Sequence, residues 1–448
     1  MTDRSSEDAR IIADSNRRDP LRPYQHEGVS FLQASTSALL ADEMGLGKTV
    51  QVAVAVRHLH EAGVVRRVLI VAPASLLTNW SFELRRWGPD VAVRSSQGLD
   101  ASERAVLWAL PVPITLAGYE AMRADFLPRS PLKQVDLVVF DEAQRLKNAE
   151  TDTALAARRV PADRRWALSA TPLENDISDL ASLATILGML SQGAGDPSLA
   201  RLLESLQGHF LRRRKADVLP ELPPLLSQEL PLLLTGRQLS EYQAARSGTD
   251  IEGADSLHLL AVINSLKQIC NRASDGTSVK LEALLEIMND PGGGETRIVV
   301  ISQYTKTLDW LAERIPLRSI PYVGTMTYSE RDRALEDFQK GPTPVALLLS
   351  LKAGGVGLNI PDATHVVLFD RWWNPAAEDQ AIHRAHRFGR TLPLLVYRLR
   401  VIDSIEDRIV EISQDRQRLF DVVVEDSLTE STSATRGWSR DELLRVLR

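Results

Sequence analysis

The chain has 448 residues, of which 44% are hydrophobic and 25% charged, and its formal net charge is −6. This length predicts two or three domains with cores of ordinary size, and the acidic balance argues against a protein that coats nucleic acid through bulk basicity. The single cysteine, Cys270, excludes an internal disulfide and suits a reducing compartment. Because the first residues are polar and no apolar run approaches about eighteen residues, we expect a cytoplasmic protein that makes no contact with a membrane.

Short apolar segments alternate with helix-like segments in two groups, which lie on either side of the proline-rich stretch 220–224. The apolar residues 39–41 suit a buried strand, and the further predicted strands are, in chain order, 67–72, 114–117, 135–140, 166–169, 297–302, 345–350, 365–370 and 394–399. Continuous apolar strands alternating with helices are typical of parallel sheets covered on both faces. The predicted fold class is therefore α/β, with two lobes that are each a mainly parallel sheet with helices on both faces, and helical additions between and after them.

Composition divides the chain into four regions. A polar lead-in is followed by a first lobe that contains a helical insertion, a second lobe that begins with helices, and a flexible tail with a short terminal helix. We predict the lead-in at 1–20, the first lobe at 21–222 with its insertion at about 175–215, the second lobe at 223–425 with its helical lead-in at about 236–290, and the tail at 426–448.

A glycine-containing turn with the sequence DEMGLGKT begins at Asp42, between a predicted strand and a predicted helix. Because Gly45 and Gly47 lack a Cβ, backbone N–H groups can close around phosphate oxygens at the helix N-terminus. Lys48 can then reach the β- and γ-phosphates of ATP, and the Thr49 hydroxyl can bind Mg²⁺. Asp42 occupies the first glycine position of the strict phosphate-loop motif, so an ordinary strand-to-helix turn with a surface lysine is the alternative interpretation.

The predicted strand 135–140 ends in two carboxylates, Asp141 and Glu142. Ligands of open α/β sheets bind at the carboxyl ends of the strands. Asp141 is therefore a candidate to hold Mg²⁺, and Glu142 is a candidate to orient and deprotonate the attacking water. Taken alone, these two residues could also form a solvated acidic turn. The glycine-containing loop earlier in the chain makes that alternative less favoured.

A helix predicted at 377–388 carries Gln380, Arg384 and Arg387 at positions i, i+4 and i+7, and so on one face. Brought across from a second lobe, this face would place two guanidinium groups on the γ-phosphate as arginine fingers. A solvated basic face is the alternative. The histidine pair on the same helix has no accompanying cysteine or carboxylate set, so we expect no structural metal.

These motifs resemble, in order and spacing, those of the SWI/SNF-like ATPases of helicase superfamily two. The matching segments are LRPYQ (21–25), DEMGLGKT (42–49), DEAQ (141–144), LSATPLEN (168–175), LRRRKADVLPELP (211–223), SQYTKTLDWL (302–311), LSLKAGGVGLN (349–359) and DRWWNPAAEDQAIHRAHRFGR (370–390). The resemblance implies a compact bacterial-type member with two RecA-like lobes that bind ATP and Mg²⁺ in the cleft between them. It also implies movement on double-stranded DNA, independent of base sequence, that remodels or displaces bound protein.

The resemblance implies roles for further residues. Gln25 matches the adenine-recognising glutamine, and its amide can pair with a donor and an acceptor of the adenine edge. The other implied nucleotide contacts are Met44, Gly45, Leu46, Gly47, Gly357 and Gln380. The implied nucleic-acid contacts are Ser75, Asn79, Trp80, Tyr119, Ser302, Gln303, Lys352, Gly354, Gly355, Asn359 and Trp372, with core packing as the alternative for Trp372.

Two features leave questions open within the resemblance. The family commonly has glutamine where Arg390 stands, which leaves the contact made by that position undetermined. The basic cluster 212–215 could touch duplex or line the cleft, although a charge run of this kind is more typical of a solvated surface.

The sequence thus predicts an ATP-dependent double-stranded DNA translocase. A partner protein is expected to supply target specificity, because the chain has no zinc pattern, nuclease signature or long insertion that would name a target. The alternatives are a strand-separating DNA or RNA helicase of the same superfamily and a non-hydrolysing ATP switch that acts as an interaction scaffold. The presence of Glu142 and both arginines argues against the scaffold, and composition alone does not distinguish DNA from RNA.

Overall fold

The structure is a computed structural model that describes residues 21–128, 130–132, 134–170, 177–190, 199–247, 256–289, 296–350, 360–372, 375–387 and 390–411. The chain divides into two compact units, and the division falls after Pro220. The sequence places the boundary two residues later, in the same proline-rich stretch. The predicted lead-in 1–20 and the predicted tail 426–448 lie outside the described residues.

The first unit is built on a parallel sheet. Its strands are β1 (Ser37–Leu40), β2 (Val68–Ala72), β3 (Val93–Ser95), β4 (Ile114–Gly118), β5 (Val135–Asp141), β6 (Ala162–Leu168) and β7 (Phe210–Leu211). Across the sheet they follow the order β3-β4-β2-β5-β6-β1-β7, and each of these pairings is parallel. Its helices are α1 (Pro23–Ala34), α2 (Lys48–Glu61), α3 (Leu77–Trp87), α4 (Ala101–Ala109), α5 (Tyr119–Phe126), α6 (Asp152–Arg158), α7 (Ile177–Ile186), α8 (Leu199–Leu206) and α9 (Lys215–Val218).

Burial explains why these segments form a central parallel sheet. All five residues of β2, Val-Leu-Ile-Val-Ala, are buried, as expected for a strand covered by helices on both faces. In the sheet, β6 lies between β1 and β5, so the carboxyl ends of β1 and β5 are about 10 Å apart, two strand spacings. The loop that follows β1 and the carboxylates that end β5 are thereby brought to the same edge.

The second unit contains another parallel sheet. Its strands are β8 (Leu225–Leu232), β9 (Arg297–Ser302), β10 (Arg318–Tyr322), β11 (Val345–Ser350), β12 (His365–Leu368) and β13 (Leu394–Val401). They follow the order β10-β11-β9-β12-β13-β8, and each of these pairings is parallel. Its helices are α10 (Gly236–Ser247), α11 (Ser256–Asn271), α12 (Val279–Asn289), α13 (Thr305–Ala312), α14 (Tyr328–Lys340) and α15 (Pro375–His383).

The central strand β9 shows that the second sheet is covered on both faces. Val299 and Ile301 belong to one buried apolar cluster, whereas Ile298 and Val300 belong to another, because successive side chains of a strand point to opposite faces. The two parallel sheets confirm the predicted α/β fold class with two RecA-like lobes. Among the described helices, none has both the length and the apolar character needed to span a bilayer.

Candidate nucleotide-binding site

The loop between β1 and α2 has the backbone geometry of a phosphate cradle. Gly45 and Gly47 adopt left-handed conformations, with φ of 89° and 77°, which glycine reaches without the strain that a Cβ would cause. Gly47 is also the N-cap of α2, so the unpaired N–H groups of the first helical turn start at this loop. An anion bound here would meet those donors and the positive end of the helix dipole.

Lys48 lies close to the acidic residues that the sequence places with it. Its Nζ donates a 2.6 Å hydrogen bond to the backbone carbonyl of Asp42. Burial lowers the pKa of the Lys48 ammonium, and the negative charges of Glu142, Asp42 and Asp141 oppose that shift. The structure therefore brings the predicted phosphate-binding lysine into the electrostatic field of both strand-end carboxylates.

Asp141 is buried at the end of β5 and is fixed by two hydrogen bonds. Its Oδ2 accepts from the Trp80 indole N–H at 2.8 Å, and its Oδ1 accepts from the Glu142 backbone N–H at 2.9 Å. Burial, together with the nearby Glu142 charge, raises the pKa of Asp141 to about 7. A buried carboxylate in this position gains stability from a nearby cation.

Glu142 adopts a left-handed conformation, with φ of 51° and ψ of 50°, that side-chain-bearing residues seldom use. Such a conformation costs about 1–3 kcal/mol and is found mainly at functional sites. Its carboxylate accepts a 2.6 Å hydrogen bond from Gln144 Nε2, and Gln144 Oε1 accepts from Ser169 Oγ at 2.9 Å. These two hydrogen bonds orient the predicted catalytic carboxylate and connect the end of β5 to the end of β6.

The donor set suits Mg²⁺. Mg²⁺ prefers oxygen ligands, which the Asp141 carboxylate and the Thr49 hydroxyl can supply. The two N–H donors on Asp141 are of the kind that orient a metal-binding carboxylate from the second shell. In the described part of the chain, no group of three or more His, Cys, Asp or Glu side chains is arranged to hold a metal by itself.

Gln25 lies against the phosphate loop. Its Oε1 accepts from the Arg22 backbone N–H at 3.0 Å, and its Nε2 donates to the Leu46 carbonyl at 3.3 Å. Leu46 is fully buried, and Met44 is half-buried. Recognition of adenine by Gln25 stays a prediction.

The second unit holds the two arginines, but not on the predicted helix. Helix α15 ends at His383, five residues earlier than predicted, so Arg384 and Arg387 lie in the turn that follows it. The turn forms because the Arg384 N–H bonds the carbonyl of Ala381, three residues back, and the Arg384 carbonyl accepts from Ile360 N–H at 3.1 Å. The prediction that both arginines share a helical face with Gln380 is therefore wrong.

These three side chains differ in exposure. Arg384 is buried, whereas Gln380 and Arg387 are half-buried. Gly357, the remaining predicted nucleotide contact of this unit, lies outside the described residues.

Two predicted nucleic-acid contacts of the first unit are buried and bind Asp141 instead. Trp80 donates to the Asp141 carboxylate as described above, and the Tyr119 hydroxyl donates to the Asp141 carbonyl at 2.7 Å. Both residues are at most 2% exposed, so the prediction that they contact nucleic acid directly is wrong. Ser75, which precedes α3, is half-buried, and Asn79, in the first turn of α3, is exposed; both stay candidates for phosphate contact.

The structure also contradicts the predicted nucleic-acid contact of Ser302 in the second unit. It is buried at the end of β9, and its hydroxyl donates to the Asp370 carboxylate, which also accepts from the Gln303 backbone N–H at 3.1 Å. Gln303 is half-buried and donates from its side chain to the Arg371 carbonyl at 3.3 Å. Trp372 is half-buried and packs against the core, in line with the alternative interpretation. Four further predicted contacts lie outside the described residues: Lys352, Gly354, Gly355 and Asn359.

The fold and the site together define a class. Two parallel α/β units, the first with a glycine phosphate loop beside two strand-end carboxylates, are characteristic of RecA-like nucleotide-binding proteins. The sequence matches the SNF2-related domain over residues 24–275 and the helicase conserved C-terminal domain over residues 279–389. The chain therefore belongs to the SNF2-related, or SWI/SNF-like, family of helicase superfamily two, as its motifs predict.

Several relatives have been described. An uncharacterized ATP-dependent helicase of Mycoplasma genitalium is 30% identical over 97% of this chain and 45% of that protein. The ISWI chromatin-remodeling complex ATPase ISW1 of Saccharomyces cerevisiae is 29% identical over 95% of this chain and 42% of that protein. The DNA repair and recombination protein RAD54-like of Danio rerio is 28% identical over 93% of this chain and 69% of that protein. The chain thus spans less than half the length of the first two relatives.

Among solved structures, the chain is similar to the Sulfolobus solfataricus SWI2/SNF2 ATPase core in complex with dsDNA. The two are 26% identical in sequence, and the alignment covers 96% of this chain and 97% of that chain with a TM-score of 0.44.

Proposed function

We propose that the chain hydrolyses ATP in response to double-stranded DNA and moves along the duplex, remodelling or displacing bound protein. The observation that carries the proposal is the cluster of Lys48, Asp141 and Glu142 beside a left-handed glycine loop, in a member of the SNF2-related family. The names of two relatives, which refer to chromatin remodeling and to DNA repair and recombination, support DNA rather than RNA as the track.

Each residue of the cluster has a defined task in this proposal. The N–H groups at the start of α2 and the Lys48 ammonium bind the phosphates of ATP. Thr49 and Asp141 would hold Mg²⁺, which supplies charge neutralisation of the phosphates. Glu142 accepts a proton from the attacking water, and Gln144 keeps its carboxylate in position through the 2.6 Å hydrogen bond.

The second unit contributes the other half of the proposed cycle. In this proposal, Arg384 and Arg387 stabilise the negative charge that develops on the γ-phosphate during hydrolysis. Ser75, Asn79 and Gln303 contact the phosphate backbone without reading bases, together with the predicted residues of 352–359. The yeast relative is named as the ATPase of a complex, which supports a protein partner that provides target specificity.

A strand-separating helicase is the second candidate, because the Mycoplasma genitalium relative is named an ATP-dependent helicase. It differs from the translocase in two measurable properties, which are unwinding of a duplex and stimulation by single strands or RNA.

The test is ATP turnover measured side by side with duplex DNA, single-stranded DNA and RNA. We expect duplex DNA to give the largest stimulation without strand separation. Glu142→Gln should bind ATP yet hardly hydrolyse it, because it keeps the shape of the site but cannot accept the proton, whereas Lys48→Ala should bind nucleotide weakly. Turnover that duplex DNA leaves unchanged would refute the translocase, and equal turnover of Glu142→Gln would refute the assigned base.

A further inference from the structure

Asp42, the residue that occupies the first glycine position of the phosphate loop, is completely buried and paired. The Arg213 guanidinium binds it with both arms of its fork, from Nε to Oδ1 at 3.0 Å and from Nη2 to Oδ2 at 2.6 Å. Gln51 of α2 completes the network by donating to Asp42 Oδ2 at 3.1 Å and accepting from Arg213 Nη2 at 2.9 Å. A buried carboxylate is therefore neutralised and hydrogen-bonded directly beneath the loop.

The network reaches the loop that would hold the phosphates. The Asp42 carbonyl accepts from Lys48 Nζ, and Gln51 Nε2 donates to the Leu46 carbonyl at 3.2 Å. The Arg213 carbonyl accepts from the Glu43 backbone N–H at 2.9 Å. The Arg213 guanidinium thus holds the start of the loop through Asp42. The backbone of the loop is in turn hydrogen-bonded to Lys48, Gln51 and Arg213.

Lys215 binds the second acidic residue of the loop. Its backbone N–H donates to the Glu43 carboxylate at 2.7 Å, and its Nζ lies 3.7 Å from the same carboxylate. The sequence predicts a solvated surface for the basic cluster 212–215, and this is wrong for Arg213 and Lys215, which are almost fully buried.

Helix α1 leaves space for this network. A Cβ on Gly28 would lie 1.7 Å from Gln51 Oε1 and 2.7 Å from Arg213 Nη2. The backbone of α1 consequently approaches the two side chains as closely as only glycine permits. The guanidinium therefore lies between Asp42, Gln51 and Gly28, and its Nη1 also donates to the Tyr24 carbonyl.

We propose that Arg213 is a positioning residue for ATP, which holds the phosphate loop in its binding conformation through Asp42. Without the guanidinium, the Asp42 carboxylate would lose its buried ion-pair partner and move toward water, which would shift the carbonyl that anchors Lys48. Lysine could supply the charge at this position but not the planar fork that binds both carboxylate oxygens. The inference rests on the proposed function only in that the loop binds ATP.

The test is the affinity for a fluorescent ATP analogue, measured together with KM and kcat for ATP, in Arg213→Met and Arg213→Lys. We expect Arg213→Met to weaken nucleotide binding and raise KM by roughly tenfold to a hundredfold, the range of a charge-assisted hydrogen bond, with a smaller change in kcat. Arg213→Lys should recover part of the affinity. Arg214→Met, which changes the exposed neighbour, is the matched control and should bind nucleotide as the wild type does.

Gly28→Ala keeps every charge but displaces the Gln51 amide and the Arg213 guanidinium, and it serves as the second variant if Arg213→Met does not fold. We expect it to weaken nucleotide binding in the same direction. Unchanged affinity in folded Arg213→Met, or in Gly28→Ala where Arg213→Met does not fold, would overturn the inference, as would an equal loss in Arg214→Met. A wild-type chain that binds no ATP would instead overturn the proposed function.

Discussion

Arg390 replaces a glutamine that the family commonly has, and the structure gives it a role within the second unit. Its guanidinium is buried and donates to backbone carbonyls that come from separate segments, including Pro361 at 2.9 Å, Ala385 at 3.4 Å and Pro393 at 2.7 Å. A glutamine has two N–H donors and a shorter reach, so it could not satisfy the same acceptors. Arg390 thus has a structural role, which is to hydrogen-bond backbone carbonyls within the second unit.

Replacing Arg390 by glutamine should therefore destabilise the second unit. Buried carbonyls that lose their donor cost about 1–3 kcal/mol, and we expect the unfolding free energy to fall by that amount, with Arg390→Lys less affected. Urea unfolding measures the difference, and Arg333→Gln, which changes an exposed arginine of the same unit, should be neutral. Equal unfolding free energies for Arg390→Gln and the wild type would contradict this role.

For single residues, the sequence predicts the positions of the catalytic candidates better than it predicts the contacts of the residues around them. Lys48, Asp141 and Glu142 could be predicted because the chemistry of phosphate binding demands those residue types at those strand ends. Trp80 and Ser302 could not be oriented, because their buried partners lie 61 and 68 positions away in the chain. A signal for Trp80 does exist, since it shares the buried apolar face of α3.

Among the elements, helix α3 carries an exposed residue next to a buried residue that contacts the candidate site. Asn79 is exposed near its start, and the next residue, Trp80, points inward to the Asp141 carboxylate. A displacement of this helix would therefore move the indole N–H that orients a proposed Mg²⁺ ligand.

Trp80→Phe should reveal the value of that hydrogen bond. Phenylalanine keeps an aromatic ring in the core but removes the N–H, and loss of a residue that orients a metal ligand typically costs 10–100-fold in metal affinity or activity. We expect the Mg²⁺ concentration for half-maximal ATP turnover to rise by roughly this factor. Trp87→Phe, at the other end of the same helix, should leave the Mg²⁺ titration unchanged, and a normal titration for Trp80→Phe would contradict the assignment.

The sequence predicts the central strands well and the edges poorly. β2, β5, β9 and β11 are mainly apolar, and their predicted bounds agree with the observed ones within one residue, whereas the central strand β6 begins four residues before its predicted start. The edge strand β8 was not predicted, because its sequence mixes exposed polar residues with a proline and forms a strand only by pairing with β13. The early end of α15 likewise depends on a tertiary hydrogen bond to Ile360 that local sequence does not reveal.

For the whole molecule, the proposed cycle requires both units. The phosphate loop and the strand-end carboxylates belong to the first unit, and Arg384 and Arg387 belong to the second. The family assignment extends over both, because the SNF2-related and helicase C-terminal matches together run from 24 to 389. Sequence could predict this organisation from two sets of motifs, whereas the turn that carries the arginines required the structure.

Removal of either arginine should separate binding from turnover. We expect Arg384→Ala and Arg387→Ala to retain ATP binding by the first unit while kcat falls by roughly 10³-fold, the effect typical of an arginine finger. Circular dichroism would establish that both variants fold, and Arg408→Ala, an exposed arginine of the same unit, should keep normal turnover. Near-normal rates for both variants would show that other residues act on the γ-phosphate.

The buried pair of Asp42 and Arg213 spans 171 positions of the chain and has a consequence for protein engineering. A chimaera that grafts a phosphate loop with the strict glycine into this scaffold would remove the buried counterion of the guanidinium and leave only the exposed Glu27 carboxylate, 3.5 Å away, as its acidic partner. The phosphate loop and the segment that carries Arg213 must therefore be exchanged together, although they are far apart in the sequence.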